Sequence, residues 1–178
     1  MSESEQVLYE GKFIRVVRRG NWEYVTRRKV TGIVGIIAVT DEGKLLLVEQ
    51  YRPPIDKNVI EIPAGLAGDV AGSEHEALAA AAQRELLEET GYTAREMNEV
   101  GQGTASAGIS DEVITLFVAR GLERKERRDV HGDGSEKITL HEIVLNEAAA
   151  WVAQRVASGS QVDLKVYAAL YFAQQARN

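Results

Sequence analysis

The chain has no cysteine in its 178 residues. A disulfide framework, a thiolate metal site and a cysteine nucleophile are therefore excluded, and the composition is compatible with a reducing cytoplasm. Long apolar runs are also missing. The longest, Gly32 to Val39, falls far short of the roughly 20 residues needed to cross a bilayer, so no membrane partner is expected. The first residues, Met-Ser-Glu-Ser-Glu-Gln, lack the basic-then-apolar order of an export signal, and a cytoplasmic protein is expected. Positive charge is in deficit, with 21 Lys and Arg against 27 Asp and Glu for a net of −6. That balance argues against nucleic acid as the partner. An acidic protein that takes a polyphosphate needs metal ions or a few well-placed arginines.

Apolar residues make up 44% of the chain, enough at this length for one well-packed domain. Phe13–Val17 and Trp22–Val25 flank Arg19-Gly20-Asn21, which predicts an amino-terminal hairpin within residues 7–30. Ile33–Val39 and Lys44–Val48 read as a second hairpin turned by Thr40-Asp41-Glu42-Gly43; the first of these strands is apolar on both faces, which predicts a central position. Glu74–Thr90 contains neither Gly nor Pro, is rich in Ala and is followed by Gly91, the pattern of a helix with its glycine cap. Further strands are expected at Val113–Val118 and Lys137–Val144. Helices are expected over residues 146–157 and 162–176, where Trp151 and Tyr167 fit the apolar faces and are expected in the core. The mixed-sign run Glu123–Arg128 reads as a solvated loop. Strands with one long helix between them and two helices at the end indicate a mixed α/β domain.

On the first helix Glu85, Glu88 and Glu89 stand at i, i+3 and i+4, so all three leave nearly the same face. Like charges at that spacing cost about 0.2–0.5 kcal/mol per pair, and the negative end of the helix dipole disfavours them by about 0.3–1 kcal/mol more. Glu76 and Arg84 lie two turns apart on the same side, and Arg84 can pair with Glu88 at i+4, which leaves Glu85 and Glu89 unmatched. A solvated acidic face is one reading. The other is a divalent cation: Mg²⁺ takes oxygen ligands and keeps several waters, so carboxylates one turn apart form a suitable half-shell. The opposite face, Leu78, Ala82 and Leu86, can press onto a sheet.

The segment from Arg84 to Tyr92, with Glu76 upstream, resembles the signature of the Nudix hydrolases, which reads Gly, five residues, Glu, seven residues, Arg-Glu-aliphatic-x-Glu-Glu-x-Gly-aliphatic. The upstream spacing departs from it, because Val70 stands where the glycine would. Gly65, in Pro63-Ala64-Gly65, is the candidate for that glycine, with ten residues before Glu76 instead of five, and either Glu76 or Glu74 is the first glutamate. Gln50–Pro54, Glu61–Leu66 and Ser110-Asp111-Glu112 are similar to segments of the branch that hydrolyses ADP-ribose and other nucleoside diphosphate sugars. The resemblance implies an α/β/α sandwich with a mixed β-sheet over residues 31–178, preceded by an amino-terminal β region, residues 1–30, for dimerisation and base binding. It implies a homodimer and a Mg²⁺ cofactor for which Mn²⁺ substitutes. The implied reaction is water attack on the diphosphate, giving a nucleoside monophosphate and a sugar phosphate. By the same resemblance the Ala64 carbonyl, Glu85 and Glu89 hold metal, Glu88 supports or shares it, Arg84 and Glu88 count among the catalytic residues, and Glu136 comes from a later loop.

Arg52, between a strand and two prolines, is placed to take a phosphate bidentately, with a surface ion pair as the alternative. Phe13 and Trp22 in the amino-terminal hairpin can stack on a base. Trp22-Glu23 is similar to the base-recognition segment of that branch, whereas core or dimer packing competes for Phe13. In the loop Val130–Glu136, Glu136 is expected as general base or further metal ligand, with Asp133 second. For Asp111-Glu112 a turn or strand-entry role stands evenly beside a functional one. His75, His131 and His141 lack partners at metal-ligand spacing and read as incidental. Two alternatives stand beside the pyrophosphatase reading: a nucleoside triphosphate pyrophosphatase, which needs neither the Gln50–Pro54 segment nor the aromatic hairpin, and a non-enzymatic nucleotide sensor, against which the full set Glu85, Glu88 and Glu89 weighs.

Overall fold

The computed structural model describes residues 4–69, 72, 74–125 and 137–175. The strands are β1 Gln6–Glu10, β2 Ile14–Arg19, β3 Trp22–Arg27, β4 Gly32–Ala38, β5 Lys44–Arg52, β6 Lys57–Glu61, β7 Ala64–Ala67, β8 Tyr92–Thr104, β9 Val113–Arg124, β10 Thr139–Val144 and β11 Gln161–Val162; the helices are α1 Leu78–Thr90, α2 Leu145–Ala157 and α3 Leu164–Gln175.

Strand β4 is central, as its two-sided apolarity predicts. It lies between β7 and β9 in a four-stranded sheet of order β7-β4-β9-β8, parallel to β9 and antiparallel to β7. Successive β4 residues feed two cores. Val34, Ile36 and Ala38 pack with Ala81, Ala82 and Leu86 of α1, while Ile37 packs with Leu145, Ala148 and Val152 of α2 and Val166, Ala169 and Ala173 of α3. Each large aliphatic side chain so buried contributes about 1.5–3 kcal/mol. The result is the expected α/β/α arrangement.

The second hairpin does not form as one sheet. Gly43 turns the chain at φ +77°, but β5 enters a different four-stranded sheet, β10-β5-β6-β11, and only the bridge Val39–Leu45 links it to the end of β4. Two apolar faces on β4 and two on β5 exceed what one hairpin can bury, so the strands separate and share the α2–α3 core.

Helix α1 begins at Leu78 rather than Glu74. Ala77 is extended, and its carbonyl accepts the first helical bonds from Ala80 and Ala81. The preceding segment turns at Gly72 (φ +86°), where Glu74 accepts the Gly72 N–H at 3.1 Å, so Glu74, His75 and Glu76 precede the helix. Gly91 caps the far end at φ +75°. Strand β9 runs to Arg124, so the head of the mixed-sign run is strand, not loop. Its partner β8 is polar and carries Gly101 and Gly103, which hides it from an apolar-periodicity reading. Trp151 packs against the core, but Tyr167 is 48% exposed and does not.

The amino-terminal hairpin gains a third strand: β1, β2 and β3 form an antiparallel sheet turned at Gly20. Its outer edge is clasped by the β8–β9 connection. The Val25 N–H donates to the Ile109 carbonyl at 2.9 Å, and Arg27 pairs with Glu112 at 2.5 Å. Ser110, bridged to Val25, and Glu112 thus take the structural role open to that segment.

Candidate active site

Helix α1 has one apolar face, and packing it on β4 leaves Arg84, Glu85, Glu88 and Glu89 along the side crossed by β7. Glu89 is only 8% exposed, and one of its oxygens accepts the Ala64 N–H at 3.1 Å. The approach of β7 to the helix is so close that a Cβ at Gly65 would fall 2.0 Å from the Glu85 Cδ and 2.1 Å from its Oε1. Any side chain there would displace the Glu85 carboxylate.

Arg84 organises the acids around it. Its guanidinium donates to Glu76 at 3.2 and 3.3 Å, to Glu85 at 2.8 Å, to Glu88 at 3.2 Å and to the Leu66 carbonyl at 2.8 Å. Burial opposes its charge, yet bonds and fields from Glu76 and Glu85 more than offset this and raise its pKa. The glutamate that reaches Arg84 is Glu76, while Glu74 closes the loop on Gly72.

Burial pushes the Glu85 carboxyl up to about 7, with Arg84 opposing and Glu88 reinforcing the shift. It pushes Glu89 up to about 8, with the Ala64 N–H and the charge of Arg52 opposing and Glu85 and Glu61 reinforcing. Each pH unit of displacement corresponds to about 1.4 kcal/mol. Ionising this pair therefore costs several kcal/mol, far more than the ~0.2–0.5 kcal/mol of an exposed like-charge pair on a helix. A solvated acidic face does not describe it. Among the described residues no three His, Asp or Glu side chains converge as a ready-made ion cage. The arrangement is a half-shell, suited to an ion that keeps waters and substrate oxygens as its other ligands.

Across from Glu89 lies a group that spacing alone did not reveal. Glu61, 4% exposed, receives Arg52 in a two-bond fork, Nε to Oε1 at 2.8 Å and a terminal nitrogen to Oε2 at 2.5 Å, and Gln50 approaches Oε2 at 3.4 Å. Arg52 is thus in an ion pair, but with a buried partner beside the helix acids. The pattern that could have found it is Gln50-x-Arg52 and Glu61 on one face of adjacent strands.

The amino-terminal candidates stand elsewhere. Trp22 and Phe13 are 66% and 67% exposed, so neither belongs to this chain's core, and Glu23 pairs with Arg18 in the same sheet. Glu136 and Asp133 lie outside the described residues. His141 pairs with Glu49 at 2.8 Å, away from the acid cluster on the α2 side.

A family model described as NUDIX domain matches residues 29–159. The chain belongs to the Nudix family. Among curated relatives, it is 40% identical to a methanol dehydrogenase activator of Bacillus methanolicus over 124 residues, 70% of this chain and 64% of that one. It is 38% identical to an ADP-ribose pyrophosphatase of Bacillus subtilis over 128 residues, 71% of this chain and 65% of that one. The matches therefore span just under two thirds of the length of these two proteins. An ADP-ribose pyrophosphatase of Mycobacterium tuberculosis is 32% identical over 166 residues, 90% of this chain and 76% of that one. The Nudix fold is matched by a solved structure, an ADP compounds hydrolase, at TM-score 0.72 and 16% identity, covering 98% of this chain and 92% of the other.

Proposed function

We propose that this Nudix protein hydrolyses the diphosphate of ADP-ribose or another nucleoside diphosphate sugar, using Mg²⁺ or Mn²⁺, to a nucleoside monophosphate and a sugar phosphate. The observation that carries the reading is the Glu85–Glu89 pair: Glu89 buried and held by the Ala64 N–H, Glu85 largely buried and shared with Arg84, both carboxyls pushed up by burial where Gly65 lets β7 approach the helix. Such a donor set fits a hard divalent cation. Glu85 and Glu89 would hold it with the Ala64 carbonyl, and Glu88 would share the charge. When bound, divalent cations neutralise a diphosphate and acidify water.

The remaining steps fall to the chain's own groups. Arg84, tied to Glu76, Glu85, Glu88 and Leu66, fixes the carboxylates in place; in this reading Glu76 is the first glutamate of the signature. Arg52 meets the phosphates, Trp22 and Phe13 meet the base with Glu23 beside them, and Glu136 or Asp133 takes the proton from water. The relatives named as ADP-ribose pyrophosphatases support this substrate class.

Residues 1–30 supply the base site and a homodimer contact. This region has seven Lys and Arg against four Glu, a net of +3, so the rest of the chain has −9 of the total −6. A small sheet that exposes Val7, Tyr9, Phe13 and Trp22 is marginal alone and gains from covering by a second, acidic body. The cysteine-free composition fits the cytoplasm. A panel of nucleoside diphosphate sugars and nucleoside triphosphates with Mg²⁺, scored by phosphate release after a coupled phosphatase, tests the reading. Turnover of triphosphates alone would overturn it.

A further inference from the structure

Strands β5 and β6 are antiparallel neighbours, with Val48 opposite Glu61 and Arg52 opposite Lys57. Side chains alternate along a strand, so Gln50, Arg52 and Glu61 share one face, the same face from which Leu46 reaches the α1 core. Glu61 is therefore on the side of the metal helix, and its charge is felt by Glu89. Its side chain is 6% exposed, whereas that of Arg52 is 41% exposed. A buried carboxylate grips an arginine that stands at the rim.

This is an unexpected place for a third acid. Buried ion pairs contribute little net stability, because desolvation offsets their attraction, so the pair is better explained by what it positions than by what it stabilises. Without Glu61 the strongest attractors for the Arg52 guanidinium would be the helix carboxylates. Arg84 already takes one share of their charge. A second guanidinium lying on Glu89 would occupy the half-shell. The fork that prevents this uses two parallel N–H bonds on a planar group, a geometry that fixes direction as well as distance.

We propose that Glu61 is a positioning residue: its carboxylate anchors the Arg52 fork at the mouth of the Glu85–Glu89 pair, keeping the arginine off Glu89 and available to an incoming diphosphate. The inference rests on the pyrophosphatase reading for what arrives there, but its structural claim concerns Arg52, Glu61 and a divalent cation alone.

The test is a double-mutant cycle on the full chain, read first as equilibrium binding of Mn²⁺ without substrate and then as kcat and KM. Glu61→Gln keeps the volume and frees the arginine. Its Mn²⁺ affinity should fall roughly tenfold or more, the range for losing a group that orients a metal site, and KM should rise more than kcat falls. The decisive result is rescue: Arg52→Ala in the Glu61→Gln background should restore most of the Mn²⁺ affinity, because the released arginine does the damage. Arg52→Lys keeps the charge without the fork, so it should also weaken Mn²⁺ binding, and this result stands even if Glu61→Gln fails to fold. Absence of rescue overturns the proposal in favour of direct action of Glu61 on the cation. Unchanged Mn²⁺ affinity in Glu61→Gln with a lowered Tm overturns it in favour of a purely structural pair. If the wild type binds Mn²⁺ and shows the rescue pattern but cleaves no nucleoside diphosphate sugar, the substrate reading fails and the anchor stands. If it cleaves them without rescue, the anchor alone fails; if it binds no Mn²⁺, both do.

Discussion

Gly65 and Glu85 occupy what would be one volume if residue 65 had a side chain: its Cβ would sit 2.0 Å from the carboxyl carbon of Glu85. Gly65→Ala must therefore push Glu85 or β7 aside. A misplacement of about 1 Å at a reacting centre costs on the order of 10²-fold, so Gly65→Ala should lower kcat/KM by about that factor. Steady-state kinetics with ADP-ribose would check it, and near-normal turnover would show that Glu85 can move without consequence.

Glu85→Gln and Glu89→Gln each remove a desolvated carboxylate from the half-shell. Turnover should fall by orders of magnitude in Mg²⁺, while the cation-free protein should melt at a higher temperature than wild type at alkaline pH, because a buried like-charge pair is gone. Thermal scans in chelator, paired with kinetics, separate these effects. A Glu89→Gln variant active in Mg²⁺ would remove α1 from the mechanism.

The raised carboxyl pKa values set a pH dependence with a definite sign. Glu85 near 7 and Glu89 near 8 bind protons more tightly folded than unfolded, where glutamate titrates near 4.3. Their contribution to stability is complete below the unfolded value and is lost as pH rises through about 7 to 8. A divalent cation competes with those protons, so the Tm gain from Mg²⁺ should grow over the same range. A gain that stays flat from about pH 5 to about pH 9 would contradict this.

Trp22 is two-thirds exposed, so Trp22→Ala should leave the Tm of the isolated chain nearly unchanged, within about 0.5 kcal/mol of stability. Stacking on a base is worth about 1–3 kcal/mol, so KM should rise by the corresponding factor with kcat little altered. Light scattering alongside kinetics distinguishes the roles: a monomer with normal KM would assign Trp22 to the subunit contact instead.

Glu136→Gln should lower kcat by about 10²–10⁴-fold with KM nearly constant, the usual contribution of a general base. Asp133→Asn is the control. Loss of kcat in Asp133→Asn alone would exchange their roles, and full activity in both would leave proton removal to the helix carboxylates.

Local chemistry was enough to determine the parts that depend on neighbours in the chain. The Arg84-to-Gly91 segment specified a capped helix with its acids on one face, the two-sided apolarity of β4 specified a central strand, and Gly43 and Gly20 marked turns, because each rests on residues within a few positions of one another. Tertiary structure alone decided the rest. It divided β4 and β5 between two sheets, since only the packed helices determine how many apolar faces can be buried. It placed Glu76 ahead of a helix that starts at Leu78, yet within reach of Arg84. It also brought Glu61 beneath Arg52 and set Gly65 against the Glu85 carboxylate, twenty residues away. Burial depends on the whole fold, and burial is what turns a row of glutamates from a solvated surface into a pair of carboxylates that resist ionisation.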